Sequence, residues 1–126
     1  MTRQRLQPGP DHPITVSPDN GRVVVRVGEV VVADTTSAQV LREAQYPPVR
    51  YVPLADVDQA LLRDSATTTY CPYKGEATYY DLVIGEDVAT DAIWSYREPY
   101  EAVAPIAGHV AFYPDRVRIS ADAAAT

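Results

Sequence analysis

The sequence predicts a mainly β protein, a compact antiparallel two-sheet domain with one short helix. Three observations carry that reading. Val, Ile, Thr and Tyr recur in short runs, the residue types that suit a pleated, half-buried surface. Turn formers interrupt those runs throughout, with 11 prolines and 6 glycines in 126 residues. Only one stretch, 38–44, combines helix formers with capping residues in front of it and prolines behind it.

The elements follow in order. Residues 1–21 hold Pro8, Gly9, Pro10, Pro13, Pro18 and Gly21 with little apolar periodicity, and read as an extended N-terminal arm lying on the body through Ile14 and Val16. The domain proper is expected over 22–120, with 121–126 a flexible tail. Arg22–Val27 and Glu29–Ala33 are β-branched runs meeting at Gly28, a hairpin pattern. Asp34-Thr35-Thr36-Ser37 offers N-cap oxygens to a helix over Ala38–Ala44, stopped by Pro47 and Pro48. Val49–Val52 is a short strand ended by Pro53, Leu54–Leu62 holds a helical turn, and Thr67–Tyr70 is a polar strand. Gly75–Ile84 is the longest strand expected. Its alternation sets Ala77, Tyr79, Asp81 and Val83 on one face and Thr78, Tyr80, Leu82 and Ile84 on the other. Gly85-Glu86-Asp87 turns the chain into Val88–Tyr96. Arg97–Gly108 reads as loop, and His109–Tyr113 with Arg116–Ser120 as a last strand pair around Pro114-Asp115.

One domain accounts for the length, since single domains usually run about 100–150 residues. The net charge is −6, and the acidity is local. Between Leu54 and Glu101 ten acids (Asp56, Asp58, Asp64, Glu76, Asp81, Glu86, Asp87, Asp91, Glu98, Glu101) face three bases, Arg63, Lys74 and Arg97. An acidic surface repels phosphate backbones, so nucleic acid is not an expected partner. No run approaches the ~18 apolar residues of a membrane span, and Met1–Arg5 leads into no apolar signal region. No membrane is therefore expected. With Cys71 as the single cysteine, neither an intramolecular disulfide nor a thiolate zinc set can form, and the expected location is the cytoplasm. No cofactor and no metal are expected.

Three constellations could carry chemistry. In Thr69-Tyr70-Cys71-Pro72-Tyr73-Lys74-Gly75, the sole lysine follows the sole cysteine by three residues across a stiff turn. An ammonium beside a thiol favours the thiolate, which makes Cys71 and Lys74 candidate catalytic residues; the competing reading is a packed cysteine with a solvated lysine. Nine tyrosines and Trp94 outnumber the one phenylalanine and concentrate between Tyr70 and Tyr113. Rings with one polar edge suit a pocket that stacks a planar ligand, though they also suit plain sheet faces. Asp56-Val57-Asp58 puts two carboxylates at i and i+2, but without a Gly-Ser turn upstream it lacks the context of a metal-dependent transferase. His109, after Gly108 at a strand start, could line a cleft; His12 lies in the proline-rich arm.

Several blocks together resemble one family. Gly9-Pro10-Asp11-His12-Pro13-Ile14-Thr15, Tyr46-Pro47-Pro48-Val49-Arg50-Tyr51-Val52-Pro53, Thr69-Tyr70-Cys71-Pro72-Tyr73-Lys74-Gly75-Glu76-Ala77, Trp94-Ser95-Tyr96 and Ala111-Phe112-Tyr113-Pro114-Asp115-Arg116-Val117 occur in the order found in the domain-of-unknown-function 427 family. The resemblance implies a β-tent-like fold, two antiparallel sheets meeting at an angle over a pocket. The chain departs from the common family pattern at Tyr80, His109 and Pro114.

These lines converge on one expectation, a small molecule bound in an aromatic pocket. Tyr51, Thr69, Tyr79, Trp94, Tyr96 and His109 are its expected ligand-binding residues, with Lys74 neutralising an anionic group on the ligand and Cys71 beside it. One alternative is an enzyme in which Lys74 activates Cys71 for nucleophilic or redox chemistry. Another is an interaction module that docks through the acidic 54–101 segment. The protein partner considered is a second copy of the chain, as a homodimer.

Overall fold

A computed structural model describes residues 4–121 and contains ten strands in two antiparallel sheets. In chain order these are β1 (Ile14–Pro18), β2 (Val23–Val27), β3 (Val30–Thr35), β4 (Gln39–Glu43), β5 (Val49–Pro53), β6 (Leu62–Cys71), β7 (Gly75–Ile84), β8 (Asp87–Ser95), β9 (His109–Phe112) and β10 (Arg118–Ala121). The larger sheet runs β1-β4-β5-β9-β8-β7-β6 and the smaller β10-β2-β3. Among the described residues helical structure is confined to 3-10 turns at Leu54–Asp56, Gln59–Leu61 and Glu101–Ile106. Among the described residues no helix is long and apolar enough to cross a membrane.

Much of this follows from the residue pattern. The hairpin at Gly28 forms, and the glycine takes the left-handed φ of +57° that a tight turn between two strands demands. β7 occupies the expected span, and its two faces separate as alternation requires. Tyr80, Leu82 and Ile84 pack toward one apolar cluster, while Ala77 and Tyr79 lie in the other. Such two-sided burial means that the large sheet is covered on both faces. On one, Val23, Val25, Val32 and Ala33 of the small sheet meet Val52, Leu82, Ile93, Val110 and Phe112. On the other, Leu41, Tyr51, Ala77, Tyr79, Tyr96 and Ala111 lie with Val103 and Ile106 of the last 3-10 turn.

Two expectations are corrected. The helix expected over 38–44 is instead β4, hydrogen-bonded to β1 on one side and β5 on the other. Adjacent Val40 and Leu41 are both buried, as the opposite faces of a strand inside a two-sided sheet require. Ala44 leaves the strand at φ +48° and donates its N–H to Pro13 O (2.8 Å). Nor do the last two strands pair with each other. β9 joins β5 and β8 in the large sheet, while β10 crosses to β2 in the small one. Within the segment read as an arm, Ile14–Pro18 is an edge strand of the large sheet. Of the expected tail, Ala121 belongs to β10 and residues 122–126 lie outside those described.

The β6–β7 turn packs against the segment that follows β8. Cys71 pairs with Gly75 across Pro72-Tyr73-Lys74, and the Lys74 carbonyl accepts the N–H of Tyr100 (2.9 Å). Gly75 has φ +111°, and a Cβ there would lie 3.4 Å from the Glu98 carbonyl oxygen. Gly75→Ala is therefore expected to cost about 1–3 kcal/mol, read as a lower urea midpoint at unchanged m-value. An unchanged midpoint would show that the turn relaxes freely.

Candidate functional site

The floor of the aromatic cleft is a row of side chains across four strands on the face away from the small sheet. Tyr79 of β7 pairs with Trp94 of β8, and Trp94 with Ala111 of β9. Ala111 follows Val110, the partner of Val52, so its side chain emerges on the same face as that of Tyr51. Because Ala111 is small, Trp94 and Tyr51 meet over it. Their rings lie edge to face at 6.3 Å, and Trp94 Nε1 donates to Tyr51 Oη (3.1 Å).

Above this floor lies a half-open cleft of about 180 Å³. Leu41, Val49, Tyr46 and Pro47 form one wall, and Tyr96 and Tyr113 contribute further rings. Tyr113 leans on Trp94, with centroids 4.6 Å apart and planes tilted by 49°. The volume falls below the about 300–1,000 Å³ of sites for drug-sized ligands, so the cleft suits a single ring or a short side chain.

The polar end is built by three residues distant in sequence. Lys74 Nζ donates to Glu43 Oε1 at 2.6 Å, and His12 Nε2 lies 2.7 Å from Glu43 Oε2. All three side chains are largely shielded. Burial alone would raise the Glu43 pKa, but the hydrogen bonds from Lys74 and His12 outweigh it and hold the carboxyl below its ordinary value. An ionised carboxylate accepts only, so His12 Nε2 carries the proton in that contact. The ring of Tyr73 stacks on His12 at 4.1 Å, within 7° of parallel. Lys74 Nζ also lies 5.8 Å from the centre of the Tyr96 ring.

The phenols are held neutral. Burial pushes up the pKa values of Tyr51 and Tyr96, and burial together with a hydrogen bond to Tyr79 raises that of Tyr113. Each is a donor at neutral pH. Tyr96 is only 7% exposed, yet its hydroxyl has no hydrogen-bond partner among the described residues. It is also not among the fully sealed unpaired atoms, so it opens into the cleft that its ring lines.

Of the residues singled out from sequence, Tyr51, Lys74, Tyr79, Trp94 and Tyr96 come together around this cleft. Thr69 is on its margin, with Oγ1 2.9 Å from Tyr79 Oη. Cys71 is half-buried beneath it, packed on the cluster that holds Tyr51 and Tyr79. What Lys74 gives Cys71 is a backbone N–H to its carbonyl (3.2 Å), while the ammonium goes to Glu43. His109 is not part of the lining; its Nδ1 is 2.8 Å from Ala107 O, and its own carbonyl accepts from Ser95 Oγ. Asp56 accepts from Thr35 Oγ1 and Asp58 caps the 3-10 turn at Ala60. Among the described residues no group of three His, Cys, Asp or Glu is placed to hold a metal ion. Sequence reasoning missed Glu43, Tyr46 and Tyr113, and also His12 as the neighbour of Glu43.

Compared with known families, residues 15–123 match the model of a domain of unknown function (DUF427), and the chain belongs to that family. No curated protein matches it.

Proposed function

For this member of the family, we propose that the cleft binds a small molecule through one planar ring. The observation that carries the reading is the Tyr96 hydroxyl, a neutral donor buried in an aromatic cleft and left without a protein partner. Buried polar groups are nearly always paired, so a free one opening into a cavity is supported best as a ligand contact. The ring lies against the aromatic lining of Trp94 and its neighbouring tyrosines, and a polar substituent meets Tyr96 and the Lys74–Glu43 pair. Since Glu43 already neutralises Lys74, this end favours a neutral group with donor and acceptor character over the anion expected from the lysine alone.

Trp94 is the single tryptophan, so its emission reports on the cleft directly. Titration with phenol, benzamide, benzoate and benzylamine is expected to give a saturable change with phenol and benzamide in the millimolar range. Tyr96→Phe should weaken benzamide by about three- to tenfold, the worth of one hydrogen bond. Tightest binding by benzoate would show Lys74 to be free for an anion. The binding reading fails if no probe alters the emission.

A further inference from the structure

The aromatic cleft does not end at Tyr79 and Tyr113. Both rings also line a second, more open groove of about 410 Å³, whose other residues are Thr67, Thr69, Thr90, Asp91, Asp115 and Arg116. We propose that this groove takes a polyhydroxylated substituent carried by the ring in the cleft, so that the ligand is an aryl glycoside or an aryl polyol. The proposal rests on the ring-binding reading above and names the class of ligand for the same site.

The chemistry of the lining carries it. Five hydroxyls converge there, from Thr67, Thr69, Thr90, Tyr79 and Tyr113, together with one guanidinium and two carboxylates. A hydroxyl both donates and accepts, so a sugar or polyol meets a matching partner at each of these groups. A phosphate does not, because Asp91 and Asp115 outnumber Arg116 and repel a second anion.

Asp91 is placed for such a contact by an irregular stretch of sheet. The β6–β7 register shifts between Asp64 and Thr68, and the β7–β8 register between Tyr80 and Leu82. Bulges of this kind re-aim side chains. Asp91 itself adopts φ +53° and gives its N–H to Asp81 Oδ1 (2.9 Å), while Arg63 clamps Asp81 Oδ2 from the other side (2.9 Å). The Asp91 carboxylate then accepts from Ser65 Oγ (2.5 Å) and Thr67 Oγ1 (2.7 Å), one on each oxygen. Each carboxylate oxygen retains a lone pair for a ligand hydroxyl, and the Thr67 oxygen, having donated its proton, can accept another. The Thr69–Tyr79 hydrogen bond and the Tyr113 ring, which lines both spaces, form the border across which ring and substituent are joined.

Phenol and its glycosides test the proposal through Trp94 emission. Phenyl β-D-glucoside, phenyl β-D-galactoside and phenyl β-D-riboside are titrated beside phenol and phenyl phosphate. At least one glycoside is expected to bind about tenfold or more tighter than phenol. Thr90→Val, an exposed position, should remove at least threefold of that gain and leave phenol unaffected. Asp91→Asn, which keeps the shape and tolerates the positive φ, should do the same with circular dichroism confirming the fold. If phenol binds and no glycoside improves on it, the groove proposal falls while the aromatic reading stands. Phenyl phosphate as the tightest ligand would also overturn it. If neither phenol nor any glycoside binds, both fall together.

Discussion

Tyr51→Ala is expected to lower the free energy of unfolding by about 3–5 kcal/mol, the usual cost of deleting a large buried ring. Tyr51 is 1% exposed and lies in the cluster that joins β4, β5, β7, β9 and the Glu101–Ile106 turn. Its removal leaves a cavity under Trp94, and it strips the indole N–H of its acceptor. Tyr51→Phe separates the two effects. It keeps the ring and should cost only about 1–2 kcal/mol, mostly the unpaired indole N–H, with an altered Trp94 emission spectrum. Urea unfolding at constant m-value is the measurement. An alanine variant within about 1 kcal/mol of the parent would mean that the cleft floor collapses without penalty, and that the row across β5, β9, β8 and β7 is not rigid.

Glu43→Ala is expected to cost about 2–3 kcal/mol at neutral pH. Removing one partner of a fully buried ion pair costs about 3–5 kcal/mol, and partial access of solvent to Lys74 and His12 reduces that figure. The pH dependence gives a second, independent check. The folded-state pKa of Glu43 is depressed, so its stabilisation is present in full above the unfolded value near 4.5 and is lost as pH falls through the folded value. The gap between parent and Glu43→Ala should therefore narrow on acidification below about pH 4.5. Asp19, bonded to Arg50, and Asp81, bonded to the Asp91 N–H and Arg63, are depressed as well, so the variant keeps some acid sensitivity of its own. A gap that is constant from pH 7 to pH 3 would show that Glu43 acts through packing rather than charge.

How far the fold was legible depended on whether local and long-range preferences agreed. Between Gly75 and Ser95 they did: alternating residues, glycine turns and consecutive strands all point to neighbouring hairpins, and the two faces of β7 separate as the period of two requires. At 38–44 they conflict. Ala-Gln-Val-Leu-Arg-Glu-Ala is composed of adequate helix formers, but the backbone groups of this stretch are claimed by β1 and β5, and burial of Val40 and Leu41 on opposite faces prevails over propensity. The same misreading hid Glu43. On a strand Leu41 and Glu43 share a face and both line the cleft, whereas on a helix they point nearly opposite ways. The aromatic lining was legible because Tyr79 and Trp94 lie on the strands expected for them and Tyr96 directly follows the second. The polar end was not, because His12, Glu43 and Lys74 meet only through the large sheet and its edge strand. The lone lysine was the one signal that pointed there. His109 shows the reverse, a residue whose type suggested a site but whose carbonyl and ring are engaged along the strand edge.

The pairing of β5 with β9 sets the order in which the molecule can assemble. β6, β7 and β8 are consecutive hairpins and can form from nearby contacts alone, whereas Val52 must find Val110 across most of the intervening chain. The cleft floor straddles that seam, with Tyr79 and Trp94 on the early-forming side and Tyr51 on the other. A chain that has built only its local hairpins therefore holds half a floor and no polar end. The complete cleft exists only once this long-range closure is made, so any ligand seated in it would select chains that have made it and would stabilise both sides of the seam together by mass action.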